Sequence, residues 1–280
     1  MITLMPSDQE ILRVAEKLPT APRLLVELGH LMSNPHLEAE DVVALLRQDA
    51  PLVAHIIRMA NSAAYAPVQQ TGSLERALDL VGLAEVHRLV GAVAATQLAE
   101  AHLSLYPIDG TKLRLNALFG AVLMEEFAKW SGERPHRCYT VGLLRPIGMM
   151  ALERLVPAGA GIPPFLASGE SELGVWEQKH WGLTNVEVAE KILLAWRLPS
   201  ETVSAIRHHY HPAGRHNPII HLLTIAASTA AERCSAIAGE ESYWKLTAEN
   251  FEKAGLRVQD YQTACQKAQR KFAQLKLAIT

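Results

Sequence analysis

Apolar residues recur at three- and four-residue spacing along almost the whole chain, and runs that alternate apolar with polar are nearly absent. That period places one apolar stripe on each helix and leaves no face for a half-buried sheet. The punctuation between stripes is helical too. Ser7-Asp8-Gln9-Glu10 and Thr184-Asn185-Val186-Glu187 read as capping boxes, in which a hydroxyl and a carboxylate satisfy orphan backbone N–H groups. Leu18-Pro19, Asn34-Pro35 and Leu198-Pro199 stop helices, while Pro51 and Pro218 suit first turns. Forty of the 280 residues are Ala and only 6% are aromatic, a composition that suits closely packed helices. The expected fold class is all-α, a bundle of about 11–14 helices in one unit or two lobes.

The spacing predicts helices from the Ser7 cap through Lys17, over 22–32, after Glu38, after Pro51, over 74–81 behind Ser73, and over 83–101. Ala66 to Gly72 reads as a loop, and Tyr106 to Gly110 separates an N-terminal block from the rest. Further helices are expected over 112–130, 139–155, 170–181, 185–196, 200–209 and 218–237, with two more exposed ones behind them. Polar 131–136 and Gly/Pro-rich 156–168 read as loops, and Trp181 and Trp196 as core anchors.

Charge narrows the function. With 27 Lys and Arg against 29 Asp and Glu, bulk phosphate neutralisation has no source, so no nucleic-acid partner is expected. Three dispersed cysteines without a CxxC fit a reducing compartment and exclude a disulfide framework or zinc ribbon. No basic, then apolar, N-terminal stretch suggests a signal peptide. The most apolar window, 219–231, contains His221, Thr224, Ser228 and Thr229, too polar and too short to span a bilayer. A cytoplasmic protein without membrane insertion is the expectation.

P-loop, GxGxxG, HExxH and GxSxG patterns are missing. The dense chemical feature is His208, His209, His211, His216 and His221. Imidazoles bind transition metals, but such a site also needs ligands from other helices, and none is identifiable. A helix end with surface histidines, favoured by the helix dipole, is the simpler reading. The alternative is a rearranged metal site on His180, His208, His209 and His211. Cys138, two residues from His136, reads as a buried inert thiol. Lys267, Arg270, Lys271 and Lys276 make the last helix basic, a solvated face or else a dock for an acidic partner.

One group of segments, in order, resembles a known family. These are Leu18-Pro19 with Pro22, Asp49-Ala50-Pro51-Leu52, Arg58-Met59-Ala60-Asn61-Ser62-Ala63, Ser73-Leu74-Glu75-Arg76-Ala77 and Val81-Gly82. They look like the first half of an HDOD domain, the signalling branch of the HD superfamily. Gly142-Leu143-Leu144 with Ile147-Gly148, and then Glu177, Gly182, Trp196, Leu198-Pro199 and His208-His209, resemble its second half. The resemblance covers about 11–240 as one domain, with an N-terminal lobe over 11–105 and an HD-like lobe over 110–240. The helices of 241–280 would pack on or extend it. Asn61-Ser62, at the end of an apolar helix, would organise the following turn, or else touch a partner.

The resemblance implies that catalytic HD proteins bind divalent metals through a His on one helix, a His-Asp pair on the next, and later His or Asp residues. The metals activate water for phosphate-ester hydrolysis. Here Asn116 stands where the first His is expected, Arg145-Pro146 replaces the His-Asp pair, and Asn185 stands where a later His would open a helix. A guanidinium is a permanent cation with no acceptor, so it repels a divalent ion. The expected consequence is a lost metal site, no cofactor and no catalytic residue, in a module that signals through contacts with other proteins. Two-component and cyclic-dinucleotide pathways are both open, as is the oligomeric state. With no receiver or cyclase domain expected in the chain, its input would come from a ligand or a partner. The rival reading is a metal-dependent phosphohydrolase with its site rearranged onto His180, His208, His209 and His211. Two other readings follow from the same segments. Asn116, Arg145, Asn185 and His208 could line a cleft that senses an anionic ligand, a nucleotide signal or a small acid, or Arg145 could pair with a local acid such as Glu125, Glu126 or Glu177.

Overall fold

A computed structural model of the chain describes residues 3–63, 70–99, 103–157, 160–166 and 172–279. Among the described residues the fold is all-α, with an isolated bridge between Leu103 and Ile108 as the extended pairing. Helices α1 (Asp8–Glu16), α2 (Thr20–Leu31), α3 (Ala39–Leu46), α4 (Ala50–Ala60), α5 (Leu74–Val81) and α6 (Leu83–Ala99) form the first half. Then come α7 (Gly110–Ser131), α8 (Pro135–Leu144), α9 (Ile147–Arg154), α10 (Leu173–Trp181), α11 (Asn185–Ala195), α12 (Ser200–His208) and α13 (Pro218–Arg233). A 3₁₀ turn (Glu241–Tyr243), α14 (Ala248–Lys253) and α15 (Val258–Ile279) complete it.

The caps sit where local chemistry puts them. Ser7 and Glu10 close the box of α1, and Thr184 and Glu187 that of α11. Asp49 accepts from Leu52 N at the start of α4 and also receives the Thr20 hydroxyl. Asn61, which caps the end of α4, donates to Thr71 O and accepts from Thr71 N, both at 2.8 Å, so it organises the following segment. Positions 66–69 of the expected 66–72 loop lie outside the described residues.

Helix α7 is the axis of the molecule. It is buried on every side from Asn116 to Ala128, as a helix covered by neighbours all round must be. Helices α6, α8, α13 and α15 surround it, and one apolar cluster runs from Ile11 to Leu275. Two glycines permit the closest approaches of one backbone to another. A Cβ on Gly142 would lie 2.8 Å from Ala121 Cα, so α8 can lie directly on α7. A Cβ on Gly148 would lie 1.8 Å from Asn185 O, so α9 touches the first turn of α11.

Several expected elements differ. The helix expected over 139–155 is two, because Pro146 has no N–H to continue the ladder, and Arg145-Pro146 becomes a corner between α8 and α9. This break raises the helix number among the described residues to fifteen, one above the fourteen segments read from the sequence. Helix α13 ends at Arg233 rather than 237. Pro135 begins α8 inside the loop expected over 131–136. Trp181 is fully buried, but Trp196 is only half-buried, because it caps the end of α11 beside the exposed Arg197. The basic face of α15 is not simply solvated. Lys271 pairs with Glu126 at 2.6 Å, and Lys267 lies over the Trp130 ring.

Candidate functional site

The corner between α8 and α9 turns Arg145 inward, leaving it 3% exposed. Its Nη1 donates to Glu240 Oε1 at 2.5 Å, and its Nη2 donates to Asn116 Oδ1 at 2.6 Å. Asn116 in turn donates to Ser235 O at 2.5 Å, and Trp244 lies 5.8 Å from the guanidinium carbon. Tyr210 O–H donates to the same Glu240 oxygen at 2.6 Å. Burial favours the neutral guanidine, but the Glu240 carboxylate outweighs it and raises the pKa of Arg145, so this is a charged pair held in the interior. The acid is therefore Glu240. Glu125, Glu126 and Glu177 have other partners: Glu125 meets Arg88, Glu126 meets Lys129 and Lys271, and Glu177 meets Tyr106 and Asn185.

Beside this pair lies a second buried carboxylate. Glu177 accepts from Tyr106 O–H at 2.7 Å, from Asn185 N at 2.8 Å, and from Asn185 Nδ2 at 2.9 and 3.0 Å. Burial pushes its pKa up to about 7, against the opposing pull of those donors. The backbone donor belongs to the first turn of α11, whose dipole favours an acceptor there.

The four residues expected to share a cleft divide into two pairs. Arg145 and Asn116 bond each other inside the protein. Asn185 and His208 line a cleft of about 290 Å³ between α10, the start of α11, the end of α12 and the turn after it. The four histidines of the alternative metal site are not brought together. His208 and His211 face this cleft. His209 points inward, where its Nδ1 lies 2.8 Å from Ile206 O and its ring packs on Tyr210. His180 is buried against Trp176 and Trp181. Successive residues on a helix point about 100° apart, which separates His208 from His209. Among the described residues no group of three His, Cys, Asp or Glu is placed to share an ion.

Glu240, Tyr106 and Tyr210 carried no sequence signal for this site. Tyr106 read as loop punctuation, and Glu240 lies 95 residues from Arg145. Cys138 is buried, as expected, and burial pushes its thiol up to about 12, away from the reactive thiolate. No helix among the described residues is long and apolar enough to cross a membrane.

The fold and the corner at Arg145 define an HD-related all-helical protein. The HDOD domain model matches residues 18–212, and the chain belongs to the HDOD family. Solved structures share the fold. An HDOD domain protein of unknown function from Geobacter sulfurreducens is 17% identical with a TM-score of 0.71, covering 98% of both chains. A candidate signal transduction protein from Marinobacter aquaeolei VT8 is 23% identical with a TM-score of 0.69, over 96% of this chain and 64% of that one. A candidate phosphohydrolase from Shewanella amazonensis SB2B is 23% identical with a TM-score of 0.67, over 96% and 97%. An uncharacterized protein of Treponema pallidum (strain Nichols) is 24% identical over 76% of this chain, which spans only 42% of that relative's length.

Proposed function

We propose that this HDOD protein is a non-enzymatic regulatory module that works by binding other signalling proteins. The observation that carries this reading is the Arg145–Glu240 pair. In the segment where the family resemblance puts a metal-binding His-Asp pair stands a buried guanidinium, already bonded to Glu240 and Asn116. These residues do not suit a divalent ion. A fixed positive charge opposes it, and the nearest carboxylate is engaged by that same charge. The ion pair bridges α8 to the segment before the 3₁₀ turn, a linking task that a metal performs elsewhere. The similarity to a candidate signal transduction protein agrees with a signalling role.

The test is metal analysis of the purified protein together with hydrolysis of bis-p-nitrophenyl phosphate in added manganese. The expected result is substoichiometric metal and no turnover. Stoichiometric iron, manganese or zinc with turnover abolished by His208→Ala would establish a hydrolase instead. Affinity capture from the native host, followed by mass spectrometry, would then identify the signalling partner.

A further inference from the structure

The cleft in front of the buried network carries charge and hydrogen-bonding capacity that the fold leaves unused. Its inner wall is formed by Glu177 and Asn185, and its outer wall by Arg207, His208, His211 and Arg215. Arg207 is engaged by Glu187 at 2.9 Å and Glu190 at 3.2 Å. Arg215 is exposed on the turn after α12, and no carboxylate among the described residues lies within ion-pairing distance of it. Its charge is close enough to His208 to help lower the pKa of that imidazole, after burial. His211 stands edge-on to Tyr243, which is stacked on Tyr210 at 4.3 Å, so this side of the cleft is held rigidly.

The inner wall has the opposite need. Asn185 is 1% exposed and its Nδ2 is committed to Glu177, but its Oδ1 has no hydrogen-bond partner. A buried carbonyl without a donor costs about 1–3 kcal/mol, so such an atom beside a cavity calls for a donor from outside. The cleft is thus polarised. An acceptor waits at the floor beside the Glu177 carboxylate, and one unpaired guanidinium with two imidazoles stands at the mouth. An anion is repelled from the floor and attracted at the mouth, and a neutral hydroxyl or amine suits the floor.

We propose that this cleft binds a hydroxylated phosphomonoester, with phosphate against Arg215, His208 and His211 and a hydroxyl or amine donated to Asn185 Oδ1. The volume of about 290 Å³ sits at the lower end of the ~300–1,000 Å³ usual for ligand pockets, which admits a sugar phosphate or a mononucleotide. The cation that the sequence pointed to, Arg145, lies behind this cleft and is neutralised; the one that faces it is Arg215.

The full-length protein tests this by calorimetric titration with ribose 5-phosphate, adenosine 5′-monophosphate, adenosine and inorganic phosphate at low salt. Both phosphomonoesters are expected to bind at least about ten-fold more tightly than adenosine or inorganic phosphate, since each of those lacks one end of the recognition. Arg215→Ala, at an exposed turn, is expected to weaken phosphomonoester binding about ten-fold or more with an unchanged melting temperature. His211→Ala is expected to weaken it less. Absence of binding by both phosphomonoesters, equal binding of adenosine, or equal affinity in Arg215→Ala would overturn the proposal. Arg215-dependent binding accompanied by phosphate release would support the cleft while overturning the non-enzymatic reading, so the two can fail separately.

Discussion

The Arg145 guanidinium meets the Glu240 carboxylate at 2.5 Å across 95 residues of sequence, with side chains 3% and 1% exposed. Removing one member of a buried pair leaves an uncompensated charge, which costs about 3–5 kcal/mol. Glu240→Gln is therefore expected to lower stability by at least ~3 kcal/mol in urea unfolding. Arg145→Met combined with Glu240→Leu is expected to recover most of that loss, because two apolar groups need no pairing. A loss below ~1 kcal/mol in Glu240→Gln would show that the pair does not bridge the two segments.

Gly148 and Gly120 make a matched test of packing. The Cβ of Gly148→Ala would lie 1.8 Å from the Asn185 carbonyl, a backbone atom that cannot rotate away. That substitution is expected to force α9 from α11 and to cost several kcal/mol, on the order of 3. The Cβ of Gly120→Ala, in the buried helix α7, meets nothing within 4 Å, so that variant is expected to gain about 0.5–1 kcal/mol from helix propensity. Thermal melts of the two variants should move in opposite directions.

Buried histidines set the acid limb of stability. Burial lowers the pKa values of His87 and His209 from 6.5 to about 3, with His136 and Arg145 respectively adding to the effect. Between pH 3 and 6.5 the unfolded chain binds these protons and the folded chain does not. Stability is thus full above pH 6.5 and falls as pH drops toward 3, by about 1.4 kcal/mol per pH unit for each histidine. Glu177 acts in the opposite sense. Its pKa, raised from 4.5 to about 7, makes the folded chain bind the extra proton, so its contribution declines as pH rises through that window. His209→Phe is expected to reduce the pH slope of stability between 4 and 6 by about one proton. An unchanged slope, or a His209 imidazole that titrates near 6.5 by NMR in the folded protein, would contradict this.

The basic residues of α15 serve as a clasp. Lys271 and Lys129 both lie 2.6 Å from Glu126, which is 1% exposed, and Lys271 also approaches Glu125 at 3.4 Å. Lys271→Met leaves Lys129 in place and is expected to cost about 1–2 kcal/mol; Lys129→Met with Lys271→Met strands the carboxylate and is expected to cost about 3–5. Cys265, fully buried on the inner face of α15, reports undocking. Its labelling by a thiol reagent should accelerate in the double variant and change little in the single one.

Much of the fold was legible because its causes are local. Ser7, Ser73 and Thr184 cap helices within three residues of themselves, and the apolar period of each helix needs only its own sequence. Pro146 was equally visible, yet the stripe around it read as one helix, since periodicity carries across a single corner. Trp196 sits on the apolar stripe of α11 but is half-buried, because exposure at a helix end depends on what lies opposite.

The candidate site was legible by halves. The family resemblance placed Asn116 and Arg145 together, and they do bond. The partner acid was sought on Glu125, Glu126 and Glu177, but Glu125 and Glu126 face α6 and α15, and Glu177 faces Asn185. Glu240 follows the matched family segment and belongs to no apolar stripe that could tie it to Arg145. The unpaired charge of Arg215 was hidden for the same reason, since Arg207 and Arg215 look alike in sequence and only the neighbouring Glu187 and Glu190 distinguish them.

By itself, then, the sequence determined an all-α HDOD chain with Arg145-Pro146 set between Leu144 and Ile147. Helical period, capping and residue identity act over a few residues and survive without coordinates. The tertiary structure decided which carboxylate neutralises the Arg145 cation, which histidines face a cleft, and which arginine of that cleft has a carboxylate beside it. Hydrogen bonds and close ion pairs form only when their groups come within about 3–4 Å. Their partners are chosen by how α7, α8 and the segment carrying Glu240 pack, at separations no local pattern encodes.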